Sequence, residues 1–149
     1  MSWAPYINNA LINKSANGHV YNNVLTEAAI IGHDGAEWAK TAGLSIKPDE
    51  IKKLNDLFKQ SANNTPSLML GGKKYQVTHY ETNEKNAFVY LKIKEGGATV
   101  AKTNQAYIIG VYNTSKNYTY DGKKILPQGV GMCNTVVEDL ANQLKGMGY

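Results

Sequence analysis

Hydrophobic and polar residues alternate along this chain in two rhythms. Trp3, Tyr6, Ile7, Ala10 and Leu11 recur at i, i+3, i+4, i+7 and i+8, the single stripe of an amphipathic helix. Ser2 is placed to cap that helix, and Pro5 is tolerable only in its first turn. A second helix is predicted from Lys47-Pro48-Asp49-Glu50, which puts acids at the positive end of the helix dipole, with Ile51, Leu54, Leu57 and Phe58 as its apolar stripe. A third is predicted over about 132–145, on the stripe Val136, Val137, Leu140, Ala141 and Leu144.

Between the helices the rhythm shortens to two. Residues 25–32 read as a buried strand, His33-Asp34-Gly35 as a turn and 36–41 as the returning strand of a hairpin. After a polar breaker at 61–66 come short strands at 67–70, 73–79, 87–94, 98–102 and 105–112, with Gly71-Gly72 and Gly96-Gly97 as separating turns. Val89, Leu91 and Ile93 alternate with Tyr90, Lys92 and Lys94, so the two sets leave opposite faces. Alternation along 73–79 likewise sets Lys74, Gln76 and Thr78 against Tyr75 and Val77. Residues 113–128 read as a long polar loop in which Tyr120-Asp121-Gly122-Lys123 is a candidate hairpin tip.

The order helix, hairpin, helix, meander, helix predicts one α+β domain over residues 1–149: a central antiparallel sheet with the N- and C-terminal helices on one face and the further helix on the other. The two terminal helices then lie side by side and gather Trp3, Tyr6 and Tyr149. Large aromatics near both ends are unexpected, because such positions usually fray. Ile7, Ala10 and Leu11 can pack the N-terminal helix without them, which frees the rings for recognition. Flat rings with polar edges suit a proline-rich peptide, since a polyproline II helix docks into aromatic-lined grooves.

At 149 residues, 42% hydrophobic and 19% charged, the chain can bury a core and reads as folded rather than disordered. Its 16 cations are all Lys, and the net charge is +4. The absence of Arg argues against a nucleic-acid reader, which leans on bidentate guanidinium contacts. A Lys excess fits weak attraction to an acidic protein surface or an anionic lipid head group. Apolar runs such as Ala28-Ala29-Ile30-Ile31 are far too short to cross a bilayer. The single Cys133 excludes an intrachain disulfide, and together these features favour a reducing, cytoplasmic setting.

Catalytic chemistry finds little support. His33-Asp34 has the look of a dyad, but Gly35 follows at once and makes it a turn. Cys133 has no base near it in sequence and reads as a small apolar side chain. His19 and His79 stand apart without ligand spacing. The expectation is a non-enzyme with no catalytic residue, metal or cofactor.

Six separated segments carry a family likeness. They are Met1-Ser2-Trp3 with Tyr6; Ala28-Ala29-Ile30-Ile31-Gly32-His33-Asp34-Gly35 followed by Trp38-Ala39; Lys47-Pro48-Asp49-Glu50-Ile51; Leu70-Gly71-Gly72-Lys73-Lys74-Tyr75; Lys102-Thr103-Asn104-Gln105-Ala106; and Cys133-Asn134-Thr135-Val136-Val137-Glu138. In this order the chain resembles profilin over nearly its whole length. The resemblance implies a cytosolic, cytoskeleton-associated protein, taken as monomeric. It would bind monomeric actin on one face and proline-rich proteins such as actin-elongation factors on another, and phosphatidylinositol bisphosphate weakly at basic surfaces. It assigns Trp3, Tyr6, Trp38, Gln143, Leu144 and Tyr149 to the proline groove; Gln143 departs from the His or aromatic that many members carry. It assigns Lys74, Asn134 and Asp139 to the actin face, with Lys92 and Lys94 near the usual basic strand-edge pair, and Gln76 and His79 at positions that vary among members. The 113–128 segment is longer than in many members and immediately precedes the actin-contacting helix. The rival reading is a non-enzymatic adaptor of similar architecture, acting in scaffolding or membrane traffic. The terminal aromatic set separates the two, because such an adaptor has no reason to expose it.

Overall fold

The computed structural model describes residues 2–59, 66–83, 85 and 87–149. The polar breaker at 61–66 lies outside them except for Pro66, as does Met1. The chain opens with a helical segment, α1 (Ala4–Tyr6), that widens into a π-helical stretch (Ile7–Ile12). Two short strands follow, β1 (Lys14–Ala16) and β2 (His19–Asn22), then the hairpin β3 (Glu27–Gly32) and β4 (Glu37–Lys40). Helix α2 (Pro48–Lys59) leads to β5 (Ser67–Leu70), β6 (Lys73–Thr82), β7 (Ala87–Ile93), β8 (Gly96–Lys102) and β9 (Ala106–Asn113). A hairpin, β10 (Asn117–Tyr120) and β11 (Lys124–Pro127), precedes the long helix α3 (Val130–Gly146).

Seven strands form one antiparallel sheet in the order β4-β3-β9-β8-β7-β6-β5. Strand alternation divides its core in two. Ala28, Ile30, Ala101 and Ile108 face the N-terminal helix and α3 through Ile7, Leu11, Val137 and Leu140. Ala29, Ile31, Val100 and Ile109 face α2 through Ile51, Leu54, Leu57 and Phe58. The expected layering is therefore present, with the terminal helices on one face and α2 on the other. Gly110 sets how closely α3 can approach: a Cβ there would lie 2.6 Å from Val137 Cγ2 and 2.8 Å from Leu25 Cδ1.

Three local expectations change. Ser2 does not cap the first helix; Trp3 is the N-cap and makes no side-chain capping bond, its carbonyl instead receiving the Tyr6 N–H at 3.1 Å. The helix then widens, with Asn13 N–H donating back to Asn8 O at 3.1 Å, five residues away. Gly96-Gly97 is not a turn. Both glycines sit inside β8, where a Cβ would collide with the Tyr112 and Leu91 carbonyl oxygens, and the chain reverses at Lys94-Glu95 instead.

The largest change is a second sheet. The 113–128 segment is a true hairpin around Asp121-Gly122, both at positive φ, and it pairs with a hairpin over 14–22 that turns at Asn17-Gly18, also both at positive φ. Together they make a four-stranded sheet, β1-β2-β10-β11. Its base is tied down by buried Gln128, whose Oε1 accepts from Thr26 Oγ1 at 2.7 Å and Asn113 N–H at 3.0 Å, while its Nε2 donates to Asn23 O at 2.7 Å. The His19 ring meets Asp121 at 2.8 Å across the two hairpins.

Candidate functional site

Three segments far apart in sequence place the terminal aromatics. Trp3 enters at the N-cap of α1, Tyr6 closes that helix, and Trp38 projects from β4 on the same side of the sheet. Tyr149 arrives past the end of α3, where Gly148 turns the chain at φ +92° and Tyr149 N–H returns to Leu144 O at 2.9 Å. The Trp3 ring centroid lies 5.4 Å from Tyr6, 4.8 Å from Trp38 and 4.9 Å edge-on from Tyr149. All four rings are partly exposed and rest on the core formed with α3. Beside them a cavity of about 280 Å³ is lined by Pro5, Tyr6, Asn9, Ala10 and Gln143. Leu144 is fully buried beneath this surface, so it supports the rings from below and offers no face to a ligand.

The second set of sequence-singled residues falls mostly on the other flank of α3. The hydroxyl of Tyr90 donates to Glu138 Oε1 at 3.0 Å, which fixes the Tyr90 side of β7 as the side facing α3. Burial, reinforced by Glu138, pushes the Tyr90 hydroxyl up to about 12, so it remains a donor. Lys92 leaves the same face by alternation, and its cross-strand partner on β6 is Gln76. Strict alternation would turn His79 away. A bulge between Val77 and His79 resets the register, pairs His79 with Tyr90 and returns it to the face of Lys74 and Gln76. Lys74, Gln76, His79 and Lys92 are all exposed, on strands that reach beyond the cover of α3. Lys94 lies at the turn that follows β7. Asn134 adjoins this face from α3, its Oδ1 accepting from Thr99 Oγ1 at 2.5 Å.

Asp139 stands between that group and the terminal cluster, on the wall of a groove it shares with Phe88 and Glu138. Helical spacing puts it one turn from Gln143, on the flank toward the N-terminal helix, where it accepts from Lys14 Nζ at 3.0 Å. Two residues that the sequence reading did not single out belong to the β6–β7 face. Phe88 and Tyr90 stack with centroids 4.6 Å apart beside His79, and a groove of about 320 Å³ between β7 and α3 opens next to Phe88 and Glu138. The alternation of Phe88, Tyr90 and Lys92 was the signal that could have found them.

The remaining chemistry-bearing groups are engaged structurally. The His33 ring meets the Ala106 carbonyl at 3.0 Å, and Asp34 Oδ1 accepts the Ala36 N–H at 2.9 Å within the turn. Burial lowers the His33 pKa and keeps the ring neutral near pH 7. Cys133 is fully buried, its Sγ 3.4 Å from both Thr99 Oγ1 and Gly110 O, and burial pushes its thiol up to about 12. Among the described residues no group of three or more His, Cys, Asp or Glu is placed to hold a metal ion. No helix among them is long and apolar enough to cross a membrane.

The profilin family model matches residues 1–149, and this chain belongs to the profilin family. Among solved structures, Acanthamoeba castellanii profilin II is 32% identical, with a TM-score of 0.72, over 99% of this chain and all of that one. Mouse profilin IIa, solved in complex with a double repeat from the FH1 domain of mDia1, is 25% identical over 84% of this chain and 89% of that one, with a TM-score of 0.55. LokiProfilin1, solved in complex with rabbit actin, shares the fold at 19% identity and a TM-score of 0.57, over 83% of this chain and 84% of that one.

Proposed function

We propose that this chain binds monomeric actin through the exposed β6–β7 face beside α3 and docks proline-rich segments on the Trp3, Tyr6, Trp38 and Tyr149 cluster. The observation that carries this reading is the gathering of four part-exposed rings from three distant segments into one surface, on the opposite flank of α3 from Lys74, Gln76, His79, Lys92 and Asn134. Mouse profilin IIa with its FH1 repeat and LokiProfilin1 with rabbit actin support the two partner classes. No bond is made or broken by the chain in this scheme. A proline-rich tail holds the protein on one side while the other side carries an actin monomer, which suppresses spontaneous nucleation and feeds filament growth.

The Lys excess supports a further, weak interaction with phosphatidylinositol bisphosphate by charge alone. A cytoplasmic, cytoskeleton-associated monomer without catalytic activity fits these partners. Two assays on the purified protein test the reading: retention on a poly-proline resin, and suppression of actin polymerisation. Failure of both returns the adaptor reading.

A further inference from the structure

The second sheet turns an aromatic face toward the same pair of helices that carries the terminal rings. Lys14 on β1 and Tyr21 on β2 are cross-strand partners, so their side chains leave one face. Lys14 reaches Asp139 on α3 from that face, and Asp139 stands one helical turn from Gln143 in the wall of the 280 Å³ cavity. Tyr21 pairs in turn with Tyr120, and Tyr118 follows two residues back along β10, so both leave the same face. The Tyr21 ring lies 5.0 Å from Tyr120 and 6.4 Å from Tyr118. Tyr21 and Tyr118 are partly exposed and rest on the same core as Trp3, Tyr6 and Tyr149. The Lys14–Asp139 pair therefore ties the strand face that carries Tyr21 to the helix that carries Gln143, and both aromatic clusters rest on one core.

We propose that the proline-binding surface continues past the terminal cluster to a distal subsite formed by Tyr21 and Tyr118, which holds the far end of a longer polyproline II segment. The proposal rests on the groove reading given above and adds a length requirement to it. The occupant follows from chemistry as well as continuity. Proline has no N–H, so such a ligand presents ring faces and unpaired carbonyl oxygens. Tyrosine offers a ring face and a hydroxyl donor, and the Lys14 ammonium supplies a further donor on the Tyr21 face. At 1.5 Å per residue α3 spans about 25 Å, which a polyproline II helix covers in about eight residues. A ligand of about six prolines stays at the terminal cluster, whereas one of about twelve reaches both.

Peptides of six and twelve prolines, titrated against wild type and Tyr21→Ala/Tyr118→Ala protein, test this. The statistical gain from extra binding registers is the same in both proteins and cancels from the comparison. The affinity ratio of the long to the short peptide should fall at least fivefold in the variant, while six-proline binding is kept. In wild type, the long peptide alone should shift the backbone amide resonances of Tyr21 and Tyr118, a readout that stands even if the variant folds poorly. An unchanged ratio with the short peptide still bound, or no distal shifts, overturns the extension alone. No binding of the six-proline peptide to wild type overturns the groove reading and the extension with it.

Discussion

The main-chain N–H of Gln105 donates to the Tyr149 carbonyl oxygen at 2.6 Å, and Thr103 Oγ1 lies 3.0 Å from the same atom. Two residues from the turn between β8 and β9 thus hold Tyr149 edge-on to Trp3. The aromatic surface is pre-organised by main-chain bonding, which lowers the ordering cost of binding a ligand.

Trp3 is the hub of that surface, in ring contact with Tyr6, Trp38 and Tyr149. Trp3→Ala should weaken proline-peptide binding by about 2 kcal/mol or more, the cost typical of truncating an aromatic hot spot. The fold should persist, because Ile7 and Leu11 carry the buried packing of that helix. Peptide titration by calorimetry, with circular dichroism as the folding check, reads both. Wild-type affinity in the folded variant would remove Trp3 from the site.

Much of this arrangement was legible in the residues, and the parts that were not have physical reasons. The stripes of α2 and α3 and the alternation of β7 show in sequence because one face of each is buried. The second sheet was hidden because its pattern is weak: β10 and β11 lack fully buried side chains, and β1 with β2 carries mostly polar or half-exposed ones. Asn17-Gly18 was the available signal, a two-residue hairpin turn lacking strongly apolar strands around it. His79 could not be oriented, because a bulge leaves no mark in a polar strand. Gly96 and Gly97 read as a turn when they are sites of close backbone approach.

Glu50 is a buried carboxylate with a structural task. Its Oε1 accepts the N–H groups of Lys47 and Gly71, and its Oε2 accepts that of Gly72, all at 3.0 Å. It thereby caps the start of α2 and fixes the turn that leads into Lys73 and Lys74. Glu50→Ala strands those donors and should cost about 2–3 kcal/mol, in the range for charged hydrogen bonds lost from a buried site. A urea unfolding midpoint close to that of wild type would contradict this role.

His33 makes stability depend on pH. Burial lowers its pKa from the usual 6.5, so the unfolded chain binds the proton more readily than the folded one. Its contribution is complete above pH 6.5, declines as pH falls through the lowered folded value, and then levels off. Unfolding midpoints measured between pH 7.5 and 5 should fall with pH in wild type. The part due to His33 should vanish in His33→Gln; an identical slope in both proteins would assign the dependence to other groups.

Lipid binding by a diffuse Lys surface has a salt signature. Each Lys near an anionic membrane contributes about 1 kcal/mol, screened over a Debye length of about 8 Å at physiological ionic strength. Sedimentation with vesicles containing phosphatidylinositol bisphosphate should therefore be weak and should disappear at high salt. Binding that survives high salt, or that needs no anionic lipid, would require a built pocket instead.

Lys74 provides the sharpest test of the actin face. It is exposed on β6 opposite Met69, while its neighbour Tyr75 is buried against α2, so its ammonium is free to meet an acidic partner. Lys74→Glu reverses that charge, and like charges brought together across an interface can cost several kcal/mol. The variant should lose suppression of actin polymerisation yet bind proline peptide as wild type does, because the aromatic cluster lies on the opposite flank of α3. Trp3→Ala should show the reverse pattern, keeping actin and losing peptide. Undiminished actin sequestration by a folded Lys74→Glu protein would move the actin face away from β6. Loss of both activities in either variant, with circular dichroism unchanged, would mean that the two surfaces are coupled through α3 rather than independent.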